Sequence, residues 1–443
     1  VQSIRFNAGD NPKLTRTPSS AGDRRTFTFS SWIKRGALST DQVLFGSYIN
    51  TTNYFLIYFD STNHSSDNTF RVYEYNGNVL KFWVYGTQRF RDPSAWYHFV
   101  VSVDTTNAVS NERIRLYVNG SRITDLTQNQ QPALNYETYI NSTNLQTIGE
   151  FYGNYYHLDA YMADIHLLDG YAYGPEFFGE FDDFDNWIPK EYTGSYGTNG
   201  FKIDGRDSSD LGDDESGNGN DYTSSGLASH DQVNDTPTNN FAVLNPLDSN
   251  SNVTQKNGNL EWTSSAADGG CRSTIFFNAA NADKFYVEAI VGTYGNAFSF
   301  GISNPDRSLS GDAGEDLADF YGWYINPTQN WLASGSNPWN TGSNSSSGSL
   351  HVLQMAIDVS DPTSIKLYAG INDTYYNSSG GTNGNPSTGA NATATITGSE
   401  EWSIGLWNRN SAASNIFVNF GQEGTFGGNK TAGGNSDANG IGN

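Results

Sequence analysis

At short, regular intervals this chain is punctuated by Gly, Asn and Asp, and between the punctuation marks apolar and polar residues alternate. TFTFSSWIKR (26–35), QVLFGSY (42–48), NYFLIYF (53–59), TFRVYEY (69–75), VLKFWVYG (79–86), WYHFVVSVD (96–104) and RIRLYVNGSRI (113–123) are the first examples. A period of two sends successive side chains to opposite faces of a sheet. Asn119–Gly120, between IRLYV and SRI, supplies two residues that tolerate positive φ and so predicts a two-residue hairpin. The pattern returns in DKFYVEAIV (283–291), AFSFGIS (297–303), FYGWYIN (320–326), HVLQMAIDVS (351–360), SIKLYAGIN (364–372), EWSIGLW (401–407) and NIFVNFGQ (415–422). Strands recurring at this spacing predict an all-β chain of two antiparallel β-sandwiches.

Composition agrees: aromatics reach 14% and glycines number 47, the rings suiting a pleated surface and Gly its turns. At 443 residues, about two to three domains fit a prior of roughly 150 residues each. We place a first sandwich at 1–175, an irregular connector at 176–250, a second sandwich at 251–426 and a flexible Gly/Asn-rich tail or linker at 427–443. Within the connector, Trp187, Tyr192, Tyr196 and Phe201 are expected to tack irregular chain onto a neighbouring surface.

Net charge narrows the partners. With 24 basic against 47 acidic residues, the balance is −23, a field that repels phosphate backbones and anionic lipid and argues against nucleic acid. No apolar run approaches the ~20 residues that span a bilayer, so no membrane insertion is expected. The opening VQSIRF has no signal-peptide pattern and no initiator Met, which reads as a processed chain or a fragment. The single cysteine, Cys271, excludes an intrachain disulfide and is expected to be a small buried hydrophobe.

Two stretches carry a resemblance. AWYHFVVSVDTTNAVSNERIRLYVNGSRI (95–123) and TIGEFYGNYYHLDAYMADIHLLDGYAY (147–173) resemble the second half of a laminin-G-like, concanavalin A-like lectin domain. KFYVE (284–288), FGI (300–302), YGWY (321–324), AID (356–358), KLYAGIND (366–373) and VNFGQEGTF (418–426) resemble, in that order, the strands of a SPRY-type sandwich. Between them, FGEF, WIPK, YGTNGF, LGDDESGNGND and DTPTNNFAVLNP follow the order of a connector in virion-surface proteins of marine bacteriophages, which this segment resembles. The lectin resemblance implies glycan recognition, and the SPRY resemblance implies recognition through loops without catalysis.

Candidate chemistry is sparse. Glu180, Asp182, Asp183 and Asp185 in GEFDDFD approach the E-x-D-x-x-E of laminarinase-type glucanases, which share the concanavalin-type sandwich. The last position is Asp, one methylene short, and the stretch lies in the connector, so an acidic exposed turn is the simpler reading. No G-x-S-x-G elbow, phosphate-binding loop or H-E-x-x-H pair occurs. His98 is expected to pack or hydrogen-bond, as are His157 and His166.

DLGDDESGNGNDY (210–222) interleaves oxygen donors with glycine, and Asp213, Asp214 and Asp221 are candidate ligands for Ca2+. Its cadence is not that of an EF-hand, and a seam in which Gly217 and Gly219 supply freedom while Asn and Asp cap turns is the competing reading. For glycan stacking, the candidate rings are Tyr152, Tyr155, Tyr156, Trp331 and Trp339. Three tyrosines within YGNYY cannot all point inward on a strand.

The expected protein is therefore a non-catalytic structural or adhesion component of a marine phage virion, a tail fibre or head fibre. It would assemble in the host cytoplasm, ride on the virion surface and recognise a host-surface polysaccharide or a neighbouring virion protein. A capsid-decorating protein and a polysaccharide depolymerase are the alternatives. A homotrimer is common for fibres, although no heptad or collagen-like period marks one here.

Overall fold

The computed structural model describes residues 2–61, 68–153, 155–265, 268–281, 283–293, 297–310, 319–325, 330–334, 337–340, 351–409 and 414–434. At 293, 330–334, 337–340 and 409 it describes the backbone alone. The chain divides into two compact units, Val1–Asn240 and Phe241–Asn443. Both are built from antiparallel strands, as the alternation requires.

In the first unit, one sheet runs in the order Ser121–Arg122, Ile114–Val118, Trp96–Asp104, Thr26–Arg35, Ala160–Asp169, Ser3–Phe6, Gln232–Val233, with Phe201–Ile203 also paired to Ala160–Asp169. The other runs Leu126–Gln130, Val79–Arg89, Thr69–Asn76, Asn53–Asp60, Gln42–Asn50, Leu145–Ile148, Lys13–Arg16, Thr223–Ser225. Their inner faces enclose one core, in which Phe29 stacks on Phe45 with ring centroids 5.1 Å apart. Phe55, Ile57 and Phe59 turn into that core while Tyr54 and Tyr58 turn out, the period of two read from the sequence. The Asn119–Gly120 hairpin forms as predicted, with φ of 45° and 78° and Val118 paired to Ser121.

The segment expected to be a connector is instead part of the first unit. Phe201–Ile203 adds to the strand Ala160–Asp169, Thr223–Ser225 caps the edge at Lys13–Thr15, and Gln232–Val233 caps the edge at Ser3–Ile4. Phe201 and Tyr222 enter the core, each fully buried, and meet edge-on at 4.8 Å. Charges buried at the seam fix the rest: Arg5 pairs with Asp231 at 3.2 Å and Lys34 with Asp235 at 2.7 Å. Asp235 also accepts from the Trp96 indole at 2.9 Å. Irregular backbone looked like a spacer because its few aromatic and acidic anchors are far apart in sequence.

In the second unit, one sheet is ordered Leu244–Ser249, Gly269–Phe277, Trp402–Arg409, Ala297–Ser303, Phe320–Ile325, Asn330–Ser334, Asn337–Asn340. The facing sheet is ordered Val253–Lys256, Glu261–Ser264, Asn415–Asn419, Lys284–Thr293, Val352–Asp361, Ser364–Ile371, Thr374–Tyr375, with Ala394–Thr397 also on Ser364–Ile371. Cys271 is buried in the core between them, where burial pushes its thiol up to about 12. The start of the expected tail is a hydrogen-bonded turn rather than loose chain: Gly427 N–H donates to Glu423 at 2.6 Å and Lys430 N–H to Thr425 O at 2.8 Å. Residues 435–443 lie outside the described residues.

Candidate functional site

The first unit presents aromatic rings on the outward face of the sheet containing Asn53–Asp60. Strand register sets Tyr54 opposite Tyr75, Tyr73 opposite Trp83 and Arg71 opposite Tyr85. Tyr54, Tyr73 and Tyr75 lie 5.5–5.8 Å apart by centroid, and Trp83 lies 5.2 Å from Tyr85. All five rings are half-buried. The two charges under the platform neutralise one another: Arg71 meets Asp60 at 2.6 Å, both side chains fully buried. Its guanidinium lies 4.0 Å from the Tyr85 ring centroid and 5.6 Å from that of Trp83, so cation–π contact holds the rings as well.

The loop chosen from YGNYY joins this same face. Phe151 packs edge-on against Tyr54 at 4.9 Å and stacks on Tyr156 at 5.9 Å; Tyr152 meets Tyr48 at 5.3 Å. Tyr152 and Tyr155 are 39% and 63% exposed, and they extend the half-buried platform into solvent. Tyr156 holds a left-handed backbone, φ 57°, anchored where its carbonyl accepts from Val43 N–H at 3.0 Å. A strained position of this kind in a non-glycine residue costs about 1–3 kcal/mol and persists only where surrounding contacts enforce it.

Of the candidate rings, Tyr152, Tyr155 and Tyr156 are thus gathered with one another. Trp331 and Trp339 fall on the adjacent strands Asn330–Ser334 and Asn337–Asn340 of the second unit, and their side chains lie outside the described residues. Sequence reasoning named the stretch 47–55 that holds Tyr54 but missed Tyr73, Tyr75, Trp83 and Tyr85. The signal was present, since YEY (73–75) and WVY (83–85) alternate rings with inward residues, but alternation alone does not say which side is wet.

In the aspartate loop, Asp214, one of the three calcium candidates with Asp213 and Asp221, caps the protein's own turns as the seam reading expects. One Asp214 oxygen accepts Lys202 N–H and Ser216 N–H, each at 2.9 Å. The other accepts the Ser216 hydroxyl and Asn220 N–H, each at 2.8 Å. Asp221 in turn accepts Asp214 N–H at 3.1 Å. The four bonds to Asp214 occupy the roughly four acceptor sites of its carboxylate. Among the described residues no group of three or more His, Cys, Asp or Glu side chains is placed to hold a metal ion.

The acidic hairpin also differs from a glycosidase site. Gly179–Phe181 pairs only with Trp187–Pro189, as a two-stranded ribbon apart from the sandwich sheets. Glu180 faces Lys190 at 3.6 Å, and Asp182 accepts Phe184 N–H and Asn186 N–H, each at 2.8 Å, as the cap of the turn. The Asn186 side-chain amide, which donates to Asp182 at 3.1 Å, and then those backbone bonds hold the Asp182 carboxyl below its usual range. Phe184 at the tip is 85% exposed.

His98 carries no proton-abstracting role in this geometry. The Trp187 indole donates to its Nδ1 at 3.0 Å, so Nε2 bears the proton and faces the Ser30 hydroxyl at 2.8 Å. Burial holds both His98 and His166 down to about 3, neutral at ordinary pH.

The sequence profile of the concanavalin A-like lectin/glucanases superfamily matches residues 8–173. No curated protein matches the chain. Similar solved structures include the PSpry domain of TRIM65, at 9% identity, covering 40% of this chain and 92% of that one with a TM-score of 0.29. Domains LG4–5 of the mouse laminin alpha1 chain share 9% identity over 94% of this chain and 88% of theirs, with a TM-score of 0.30. Domain 4 of AbnA, a GH43 extracellular arabinanase from Geobacillus stearothermophilus solved with arabinotriose, shares 13% over 36% and 67%, with a TM-score of 0.27. Likeness at this level fixes no ligand. The first unit is an antiparallel β-sandwich by its own strand order, and most of it matches the concanavalin A-like model.

Proposed function

Taking a concanavalin A-like sandwich as the premise, we propose that the chain is a non-catalytic adhesion protein that holds a surface glycan on the ring-bearing face of its first unit. The observation that carries this reading is the continuity of that face with the solvent-exposed Tyr152 and Tyr155. A pyranose has an apolar face that stacks on a ring and hydroxyls that bond to phenol and amide groups, and this surface offers both. Trp331 and Trp339 are proposed as a second set of rings on the second unit. The work place we infer is the exterior of a marine phage particle, as a fibre component facing the host. Support for that placement comes from the ordered connector motifs and the acidic, disulfide-free composition.

A glycan array probed with the purified chain tests the adhesion reading. Selective retention that drops at least tenfold on Tyr155→Ala is the expected result. Retention unaffected by a chelator is also expected, because the Asp214 carboxylate is committed to the protein's own donors. Release of reducing ends from a bound polysaccharide would instead make the protein a depolymerase.

One observation favours a second reading, docking to a neighbouring virion protein. Phe181 and Phe184, 58% and 85% exposed, project from a turn locked by Asp182. A photo-crosslinking residue at position 184 should then give one defined protein adduct in the intact assembly, and scattered adducts would oppose it.

A further inference from the structure

Resting on the glycan-binding reading, we infer that the Tyr54–Trp83 face takes an uncharged, extended glycan chain rather than a sulfated or uronic one. The rings define its length. Tyr54, Tyr73 with Tyr75, and Trp83 with Tyr85 stand on three neighbouring strands, about 4.8 Å apart, so the apolar stripe runs about 10 Å across the sheet. Tyr152 and Tyr155 carry it further at the Tyr54 end. A stripe longer than one ring-sized sugar is filled by several consecutive units of a chain.

Charge defines the class. An anionic polysaccharide needs an accessible cation beside the stacking rings. Arg71 stands at the centre of the platform but is fully buried, spends its charge on Asp60 at 2.6 Å, and lies beneath Trp83 and Tyr85. The register partners of Tyr85 and Trp83 on the next strand are the amides Gln128 and Gln130, which read hydroxyls. Arg89, opposite Thr69, stands beyond the rings at the end of its strand, and Lys81, half-buried at the bulge beside Tyr75, is a single cation at the margin of the rings. Around this surface the whole chain carries −23, a field that opposes the approach of a polyanion.

The test is titration of the full-length chain with linear neutral hexose oligomers of increasing length and with sulfated and uronic oligomers of matched length, each at low and high salt. Neutral oligomers should bind more tightly with length until the stripe is filled, with affinity indifferent to salt. Trp83→Ala should weaken them roughly tenfold or more, the stacking of one ring, while Trp83→Phe retains most of the affinity at an unchanged melting temperature. Binding confined to the anionic oligomers and lost in salt would overturn the inference and leave adhesion standing. So would neutral binding that ignores both substitutions. Failure to bind any glycan class would overturn the adhesion reading itself.

Discussion

His98 and His166 sit behind one sheet of the first unit as neutral rings, and their neutrality has a price in acid. Each has its proton affinity lowered by burial to about 3, whereas the unfolded chain protonates near 6.5. As pH falls through that window, the unfolded state takes up protons that the folded state refuses, so stability is full above about pH 6.5 and drains away toward pH 3. The loss is on the order of 4 kcal/mol per histidine by the acid end. Thermal denaturation followed from pH 8 to 3 should show the melting temperature fall below about pH 6.5, opposed in part by Glu74 and Asp159, whose carboxyls burial raises to about 7 and about 6 and which regain stability as they take up protons. His166→Gln, whose side chain can still meet Tyr196, should shallow that slope. The packed state of His98 was legible from its place in an alternating strand. The partners that fix its tautomer, Ser30 and Trp187, were not, because they are brought to it by pairing and by a distant hairpin.

At the scale of elements, the strands and the Asn119–Gly120 turn could be read directly, since both depend on local periodicity and local φ. Segment 176–233 could not be read so directly. Of its five short strands, two pair with each other and three follow no period of their own and exist because strands elsewhere accept them. The same holds for the aspartate loop, in which donors from residues 202, 216 and 220 converge on Asp214. Asp214→Ala should leave those donors without an acceptor and destabilise the first unit by on the order of 3 kcal/mol. A chelator, by contrast, should not move the wild-type transition, since a resident ion would shift it by mass action. A calcium-dependent rise in melting temperature lost in Asp214→Ala would return the loop to the metal sites. The candidate rings divide along the same line: a cluster of tyrosines in one loop announces itself, whereas a platform spread over three strands needs the register.

For the molecule as a whole, the boundary between units falls after Asn240 rather than near residue 175, and truncation distinguishes the two. A fragment ending at Asn240 should unfold in one cooperative transition. One ending at residue 175 should aggregate or melt without cooperativity, because it leaves Arg5 and Lys34 buried without Asp231 and Asp235. An uncompensated buried charge costs about 3–5 kcal/mol, and two such charges rival the stability of an ordinary domain. A stable, cooperative 1–175 fragment would show that the later segment only decorates a finished sandwich.

The pairing of Ser3 with Val233 also sets a timetable. During synthesis the opening strand emerges first and finds Ala160–Asp169 as one neighbour, but its other neighbour is among the last residues of the unit to be made. Closure therefore waits on the ribosome for nearly the whole unit, and refolding in vitro must search for contacts between the two ends of a long chain, a topology that folds slowly. Until that final strand docks, the nascent sandwich has an open edge, so its exposure to aggregation is governed by translation speed rather than by the stability of the finished protein.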